Sequence, residues 1–350
     1  MWRFVLGGLY AAAAAPTYVP VPLPRRVAVG SVDPSEPNGL VHALDVVSAA
    51  LVGRTYELGP LGEGPGSSHP KPLYRIDAFD CTTFLETVMA NAYCLRAGSR
   101  VGGCLAIAMR RIRYSGNTAT YEARNHIPET DWLPNNTERG YLEDLSEHLF
   151  PGEWKEARPT IDRAAWLKAQ PGGETPKRPN PPTPPLRYLP VSYFFSETRL
   201  SAEEKAALEA KSAAAKKEAA EILTGRPDEA KRKEAEKIRF RADLVYVRAA
   251  YAPVAERLAL IPSGTVLNLL RAPVRDPEKA RVSTLVSHQG LVIQTSEGAR
   301  IRHAAPNVGH VADQSLADYL LRYVRSRNYR GVALYRILPA QPASKTPRQP

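Results

Sequence analysis

The chain has 350 residues, of which 43% are apolar, so it can form a hydrophobic core and is neither fibrous nor wholly disordered. Its 32 prolines argue against an all-helical bundle and for long irregular connections. The 47 basic and 36 acidic residues give a net charge of +11, which favours anionic partners such as nucleic acid, acidic glycans or cell-wall carboxylates.

The first residues have the layout of a secretory signal. Arg3 precedes an apolar run over residues 4–15, like the charged and apolar regions of a signal peptide. The run is too short to span a bilayer, and no other stretch approaches the ~18 apolar residues that a membrane helix needs. We predict a signal peptide over residues 1–24 and export to the periplasm or cell envelope. A buried apolar N-terminal segment is the alternative.

An amphipathic helix with a cysteine at its start is predicted directly after Asp80. Apolar side chains recur at helical spacing between residues 82 and 97, and Gly98 is a typical C-terminal stop. Asp80 is a good N-cap, which puts Cys81 at the first helical position, where unpaired N–H groups and the helix dipole stabilise a thiolate. The pattern predicts an activated thiol, and a purely structural cysteine is the alternative.

The other two cysteines, Cys94 and Cys104, flank a glycine-containing segment. A turn there would bring the two sulfurs together in a disulfide and leave Cys81 free. Two separate buried thiols are the alternative, because small thiols pack as ordinary apolar groups.

A proline-rich loop and a charged insertion follow in the middle of the chain. The loop is predicted over residues 171–187, with a strand over 188–195. Residues 201–241 are rich in Ala, Glu and Lys with a break at 225–227, which predicts two solvated helices in a hairpin. Its mixed charge makes it a poor nucleic-acid arm. We expect an inert insertion; a spacer, a lid or a surface for a protein partner are alternatives.

Two of the seven histidines lie in β-prone segments that suit catalysis. His288 lies in the run 286–293, where Gly290 permits close approach of another backbone, and His303 lies in the run 299–304. The turn at 296–298 predicts an antiparallel hairpin that brings both imidazoles onto one face. A thiolate nucleophile needs such an imidazole as base and a third group that orients it.

The C-terminal part of the chain completes the predicted fold. Leu316, Tyr319, Leu320 and Tyr323 mark one apolar helix face, residues 331–338 form a closing strand, and residues 339–350 form a disordered tail. The chain contains no glycine-rich phosphate loop and no zinc motif. We expect no cofactor and no metal. Zinc bound by His288, His303 and His310 is a weak alternative, because a fourth ligand is missing.

Several short motifs carry a resemblance to a known family. Asp80-Cys81 before an apolar helix, Ser287-His288-Gln289-Gly290 on one strand and Arg302-His303-Ala304 on the next resemble the Cys-His-His order of NlpC-type papain-like peptidoglycan hydrolases. The chain is most similar to the bacterial N-acetylmuramoyl-L-alanine amidase-like branch, on further stretches that include Arg124-Asn125-His126, Asp131-Trp132, Tyr188-Leu189-Pro190 and Ile261-Pro262-Ser263-Gly264. The match covers most of residues 40–338.

The resemblance implies a role for each matching residue. Cys81 is the nucleophile, His288 the base and later acid, and His303 the orienting residue. Arg124, Asn125 and His126 line the substrate cleft, where a guanidinium, an amide and an imidazole suit anionic groups, and Asp80 is also expected to contact the substrate. A local loop network is the alternative for Arg124, Asn125 and His126.

We predict an α+β protein of the NlpC-type papain-like fold, with the nucleophile helix packed on an antiparallel sheet and a single catalytic domain over residues 25–338. The implied activity is hydrolysis of the N-acetylmuramic acid–L-alanine amide of peptidoglycan or muropeptides through a thioester. The alternatives are a γ-D-glutamyl stem-peptide endopeptidase and a non-catalytic cell-wall-binding module. No nucleic-acid motif accompanies the positive charge, so nucleic acid is not an expected partner.

Overall fold

The computed structural model describes residues 37–64, 67, 69–97, 101–116, 118–170, 183–225, 227–272, 274 and 276–339. The predicted signal peptide, most of the predicted proline-rich loop and the predicted tail after residue 339 lie outside these residues. None of the described helices is long and apolar enough to cross a membrane.

A large sheet forms the centre of the described chain. The strands are β1 (Thr55–Tyr56), β2 (Ala78–Phe79), β3 (Leu142–Asp144), β4 (Lys155–Ala157), β5 (Leu186–Pro190), β6 (Phe195–Glu197), β7 (Tyr251–Pro253), β8 (Thr265–Arg271), β9 (Val286–Thr295), β10 (Gly298–Ala305), β11 (His310–Ser315) and β12 (Tyr329–Ile337). The sheet runs in the order β2-β1-β11-β10-β9-β8-β12-β5-β4, β3 also pairs with β12, and β6 pairs separately with β7. Neighbouring strands are antiparallel except for β1 and β2.

Helices cover both faces of this sheet. They are α1 (Pro37–Ala50), α2 (Cys81–Arg96), α3 (Val101–Arg113), α4 (Leu133–Glu138), α5 (Ser146–Leu149), α6 (Arg163–Ala169), α7 (Ala202–Ile222), α8 (Glu229–Ala250), α9 (Ala255–Ala259), α10 (Pro277–Ala280) and α11 (Leu316–Leu321). A π-helical turn spans Pro128–Trp132 and a 3-10 turn spans Val191–Phe194. The predicted α+β class is confirmed.

The two faces of the sheet contribute to two separate hydrophobic cores. Val266 and Leu270 of β8 point into the core that α1, α2 and α3 cover, whereas Leu267 and Leu269 point into the core that α9 and α11 cover. Side chains of a strand point alternately to opposite faces, so a strand buried on both sides has the nearly continuous apolar run seen in β8.

Helix α2 begins where the sequence predicts it. The Asp80 side chain accepts a hydrogen bond from the Thr83 N–H (2.8 Å), and Thr83 Oγ1 accepts one from the Asp80 N–H (2.9 Å). This reciprocal capping box satisfies two backbone donors and leaves Cys81 at the first helical position. The apolar face of α2 packs against β9 and β10. The N-terminal end of the helix is therefore held against the strands that carry the two histidines.

A disulfide bond joins Cys94 of α2 to Cys104 of α3. Of the two alternatives that the sequence left open, the structure has the bridge. Cys81 is the remaining cysteine and is free.

Two segments differ from their sequence-based boundaries. The predicted strand over 188–195 is wrong in its second half, because β5 ends at Pro190 and a 3-10 turn follows. Proline has no N–H to donate to a strand ladder, which favours an end there. In the insertion, α8 continues to Ala250, beyond residue 241, because Leu244 and Val247 extend its apolar face onto the core under α11.

Candidate active site

The hairpin of β9 and β10 brings His288 and His303 into direct contact. The strands pair from Gly298 opposite Thr295 to Arg302 opposite Leu291. A Cβ added at Gly290 would lie only 2.7 Å from the Ile301 side chain, so glycine is needed for the close approach of β10. His288 Nε2 lies 2.5 Å from His303 Nδ1. The structure thus places the two predicted histidines together.

Three further side chains continue from this pair, and the sequence did not assign any of them to the site. Gln314 Nε2 contacts His303 Nε2, and the Arg322 guanidinium donates to Gln314 Oε1 (2.9 Å). The Tyr319 ring packs against both imidazoles, with centroid distances of 5.2 Å to His303 and 6.3 Å to His288. Gln314 lies two residues beyond the partner of His303 on β11, which is a matter of strand register with no sequence signal.

Cys81 lies beside the residue that follows His288. The backbone N–H of Gln289 lies close enough to the Cys81 thiol to lower its pKa. The Gln289 side chain accepts a hydrogen bond from Thr82 Oγ1 (2.7 Å) and donates one to Asn268 Oδ1 (2.8 Å). Gln289 therefore joins the start of α2 to the centre of the sheet, and it holds the thiol next to the strand position of His288.

Burial changes the expected ionisation of the thiol. Together with a smaller effect of the nearby Asp80 carboxylate, it raises the pKa of Cys81 to about 12, against the opposing effect of polar contacts with Gln289 and Thr82. Some of the residue remains solvent-exposed, although the thiol lies deep among protein atoms. The thiolate expected from the helix start is therefore a neutral thiol in this structure, because desolvation outweighs the helix dipole.

The two imidazoles are neutral for the same physical reason. Burial lowers the pKa of His288 to about 4. Burial, together with smaller electrostatic effects of His288 and Arg322, lowers the pKa of His303 to about 3. At neutral pH the site therefore holds a neutral thiol and two uncharged imidazoles.

A cavity of about 800 Å³ opens onto the histidine pair. Its lining includes His288, His303, Arg271, Tyr319 and Arg322. Cys81 is not among the lining residues, in keeping with the depth of its thiol. The cavity therefore exposes the two histidines and not the Cys81 thiol.

Asp80 has internal partners in the structure. One carboxylate oxygen caps α2, and the other accepts a hydrogen bond from the Gly59 N–H (3.0 Å). This geometry explains Asp80 as the residue that caps the start of α2 and holds the preceding loop at Gly59. Its role in substrate binding stays a prediction.

Arg124, Asn125 and His126 also contact protein groups. Arg124 pairs with the buried Glu63 carboxylate. Asn125 donates to the Ile112 carbonyl (3.0 Å), and His126 Nε2 lies 2.6 Å from the Tyr121 carbonyl. None of the three lines the cavity at His288. The structure therefore places them in a loop network apart from this cavity, and substrate binding by them stays a prediction.

No group of three or more His, Cys, Asp or Glu side chains is arranged to hold a metal ion within the described ranges.

Together, the fold and the site define an α+β protein with a free cysteine at a helix start, next to strands that carry a contacting histidine pair. Residues 46–206 match the family model AmiA-like, described as N-acetylmuramoyl-L-alanine amidase-like. The matched region contains Cys81 and Arg124–His126 and ends before His288 and His303. The family resemblance predicted from the motifs is confirmed.

Solved structures support the fold. Protein LPG0564 from Legionella pneumophila, of family DUF1460, is 22% identical with a TM-score of 0.63, over 87% of this chain and 90% of that one. An N-acetylmuramoyl-L-alanine amidase from Bacteroides uniformis is 14% identical with a TM-score of 0.50, over 85% of this chain and 99% of that one. No curated protein matches the chain.

Proposed function

We propose that the protein is a cysteine amidase of the NlpC-type papain-like fold that hydrolyses the bond between N-acetylmuramic acid and L-alanine in peptidoglycan or muropeptides. The observation that carries this proposal is the contact of His288 with His303 on strands packed against the helix that starts at Cys81. The description of the matching family and the name of the Bacteroides relative support the choice of bond.

In this mechanism the Cys81 thiol transfers its proton to His288 as sulfur attacks the amide carbonyl carbon. The N–H of Cys81, at the helix start, donates to the oxygen on which negative charge develops. The tetrahedral intermediate collapses to a thioester, and the leaving amine takes the proton from His288. Water then attacks the thioester, His288 removes a proton from it, and the carboxylic acid product and the thiol are released.

The direction of the hydrogen bonds beyond His288 decides whether it can act as a base. Because His288 Nε2 contacts His303, Nδ1 is the nitrogen left to accept the thiol proton. Nδ1 is an acceptor when Nε2–H donates to His303 and His303 in turn donates to an oxygen of Gln314. In the structure the amide nitrogen of Gln314 faces His303, so the hydrogen bonds from Gln314 through His303 to His288 run in the opposite direction. Rotation of this amide gives the basic form of His288 and breaks the hydrogen bond that Gln314 Oε1 accepts from Arg322.

The same proposal covers location and domain organisation. Disulfides persist in oxidising compartments, so the Cys94–Cys104 bridge supports export to the periplasm or cell envelope. Residues 25–338 act as one catalytic domain on peptidoglycan.

The decisive experiment compares wild type with Cys81→Ala on purified muropeptides, with mass spectrometry of the fragments. We expect wild type to release free L-alanine-terminated peptides and the variant to release none. Cys94→Ala/Cys104→Ala is the control, because it removes the disulfide sulfurs and leaves the Cys81 thiol in place. Turnover by Cys81→Ala at the wild-type rate would refute the nucleophile, and cleavage after γ-D-glutamate would identify an endopeptidase instead.

One observation favours a second candidate function. The buried Cys81 thiol, with its pKa raised to about 12, is also what a non-catalytic cell-wall-binding module would retain. Alkylation by iodoacetamide near neutral pH separates the two functions. Fast, muropeptide-sensitive alkylation of Cys81 supports the enzyme, whereas a slow thiol combined with undiminished wall binding supports the module.

A further inference from the structure

The helical insertion forms part of the cavity at the histidine pair. Glu236, Lys237 and Phe240 of α8 line the same cavity as His288 and His303. Residues 236 and 240 are one helical turn apart, so they present one continuous face of α8 to the cavity. This position argues against the inert insertion that the sequence predicted.

The C-terminal half of α8 holds this face in position. Val247 is buried in the core under α11, and the Arg325 guanidinium lies over the Tyr246 ring at 4.3 Å. Arg248 pairs with Asp318 of α11 at 3.3 Å. Helix α7 packs along α8 and leaves most of its own surface exposed. The hairpin is thus attached to the body through α8.

Arg322 connects α8 to the histidines. Its guanidinium lies 5.8 Å from the centre of the Phe240 ring. The same guanidinium donates to Gln314, which contacts His303. A ligand that displaces Phe240 or binds Arg322 therefore affects Gln314, the side chain that contacts His303.

The charge of the cavity favours an anion. Among the described residues that line it, Lys237, Arg271 and Arg322 are basic and Glu236 is acidic. Lys237 is largely exposed, and its ion pair with Glu234, at 3.7 Å, is of the weak surface kind. Its ammonium is therefore available to a carboxylate of a bound molecule.

We propose that α8 is the outer wall of the substrate cleft, in which Lys237 and Arg271 bind a carboxylate of the muropeptide and Phe240 covers an apolar part of it. This inference rests on the proposed function, because it names the part of the chain that recognises the same substrate. It assigns the hairpin to substrate selection, in place of the inert insertion or protein-partner surface expected from sequence.

The test measures steady-state hydrolysis of an anionic muropeptide by three variants and a control. Lys237→Ala should raise KM about fivefold, the upper range for one exposed charge pair, with kcat unchanged. Glu236→Gln should lower KM, because it removes a repelling charge. Phe240→Ala should raise KM about tenfold through lost apolar contact, and Phe240→Leu should restore most of it. Lys217→Ala, on the exposed face of α7, should match wild type.

Salt separates a charge contact from a structural effect. The difference between Lys237→Ala and wild type should disappear at high ionic strength, whereas that of Phe240→Ala should persist. If Lys237→Ala and Phe240→Ala both have the KM of Lys217→Ala at low salt, the proposed role of α8 in the substrate cleft is refuted.

A binding measurement keeps this inference distinct from the amidase proposal. The same muropeptide is titrated calorimetrically into Cys81→Ala, alone and combined with Lys237→Ala or Phe240→Ala. Weaker binding by the combined variants supports the role of α8 in the substrate cleft. This holds even if wild type hydrolyses nothing, since absence of hydrolysis refutes only the amidase proposal. If hydrolysis depends on Cys81 but the α8 variants change neither KM nor binding, only the proposed role of α8 is refuted. If the muropeptide does not bind to Cys81→Ala, the proposed role of α8 is also refuted.

Discussion

Two polar clusters in this protein contain the same kinds of side chain and end in different surroundings. The His126 cluster consists of His126, Asp131 and Arg163, and the His288 cluster of His288, His303, Gln314 and Arg322. In the first, Asp131 accepts a hydrogen bond from the backbone N–H of His126 (3.0 Å) and pairs with the buried Arg163 (3.0 Å), while the His126 imidazole contacts the Tyr121 carbonyl. In the second, the contacts end at a cavity of about 800 Å³. Residue type alone does not separate a structural network from a site.

The strongest test of this comparison is loss of an imidazole from each cluster. His288→Ala should lower kcat/KM for muropeptide hydrolysis about 10³-fold, because it removes the general base. Its melting temperature should change little, since the side chain borders a cavity. His126→Ala should show the reverse, a lower melting temperature with kcat retained at temperatures where it is folded. Equal losses of kcat/KM in both variants would remove the distinction.

Loss of a carboxylate from the His126 cluster should mainly affect stability. Asp131→Ala leaves the Arg163 guanidinium buried without its partner, which should cost about 3–5 kcal/mol of unfolding free energy. Urea unfolding measures this directly. Asp131→Ala/Arg163→Met should recover much of the loss, because the unpaired charge is gone. A single variant as stable as wild type would show that the cluster is not a structural ion-pair network.

The histidines of both clusters should make stability depend on pH in the same direction. Burial lowers the pKa values of His288 to about 4 and His303 to about 3, and it also lowers the pKa of His126. The unfolded chain binds more protons below its ordinary histidine pKa of about 6.5, so stability should fall as pH drops from about 6.5 towards 4. Unfolding midpoints in urea at pH 7 and pH 4.5 measure this.

A double variant, His288→Gln/His303→Asn, apportions the effect between the clusters. It should lose the part of the pH dependence that His288 and His303 contribute and retain the part that His126 and the other buried groups contribute. A pH dependence identical to that of wild type would mean that the histidine pair is not buried in the neutral form.

The smallest expected effect concerns Gln314. Gln314→Glu puts a carboxylate acceptor next to His303, which favours the hydrogen-bond direction that leaves His288 Nδ1 basic and raises the imidazole pKa values. The acidic limb of the kcat–pH profile should move to higher pH, with a change in maximal kcat below about tenfold. Gln314→Leu is the control and should lower kcat without moving the limb. Superimposable pH profiles of Gln314→Glu and wild type would exclude a positioning role.

Local features of the fold were predictable where their causes lie close together in the chain. The start of α2 depends on Asp80 and Thr83, three residues apart, whose side chains cap each other's backbone. The hairpin of β9 and β10 depends on β-prone runs on either side of a turn at Gly298, which has a positive φ of 108°. The helices α7 and α8 follow from helix-favouring composition and a break between them.

Other expectations failed, or stayed open, for lack of tertiary information. A helix start alone indicated a thiolate at Cys81, whereas burial raises the pKa of its thiol. The cluster at Arg124 resembled a binding site, although its partners, such as Glu63, lie in the protein interior. Whether Cys94 and Cys104 were bridged depended on how α2 packs against α3.

The sequence by itself determined the helix that begins at Cys81, the strands that carry His288 and His303, and the family resemblance, because capping, periodicity and motifs are properties of neighbouring residues. Only the tertiary structure decided that Gln314 and Arg322 extend the histidine pair, that the thiol is neutral, and that α8 borders the cavity. These depend on strand register and on exclusion of water by segments far apart in the chain, and neither quantity is encoded in any one of those segments.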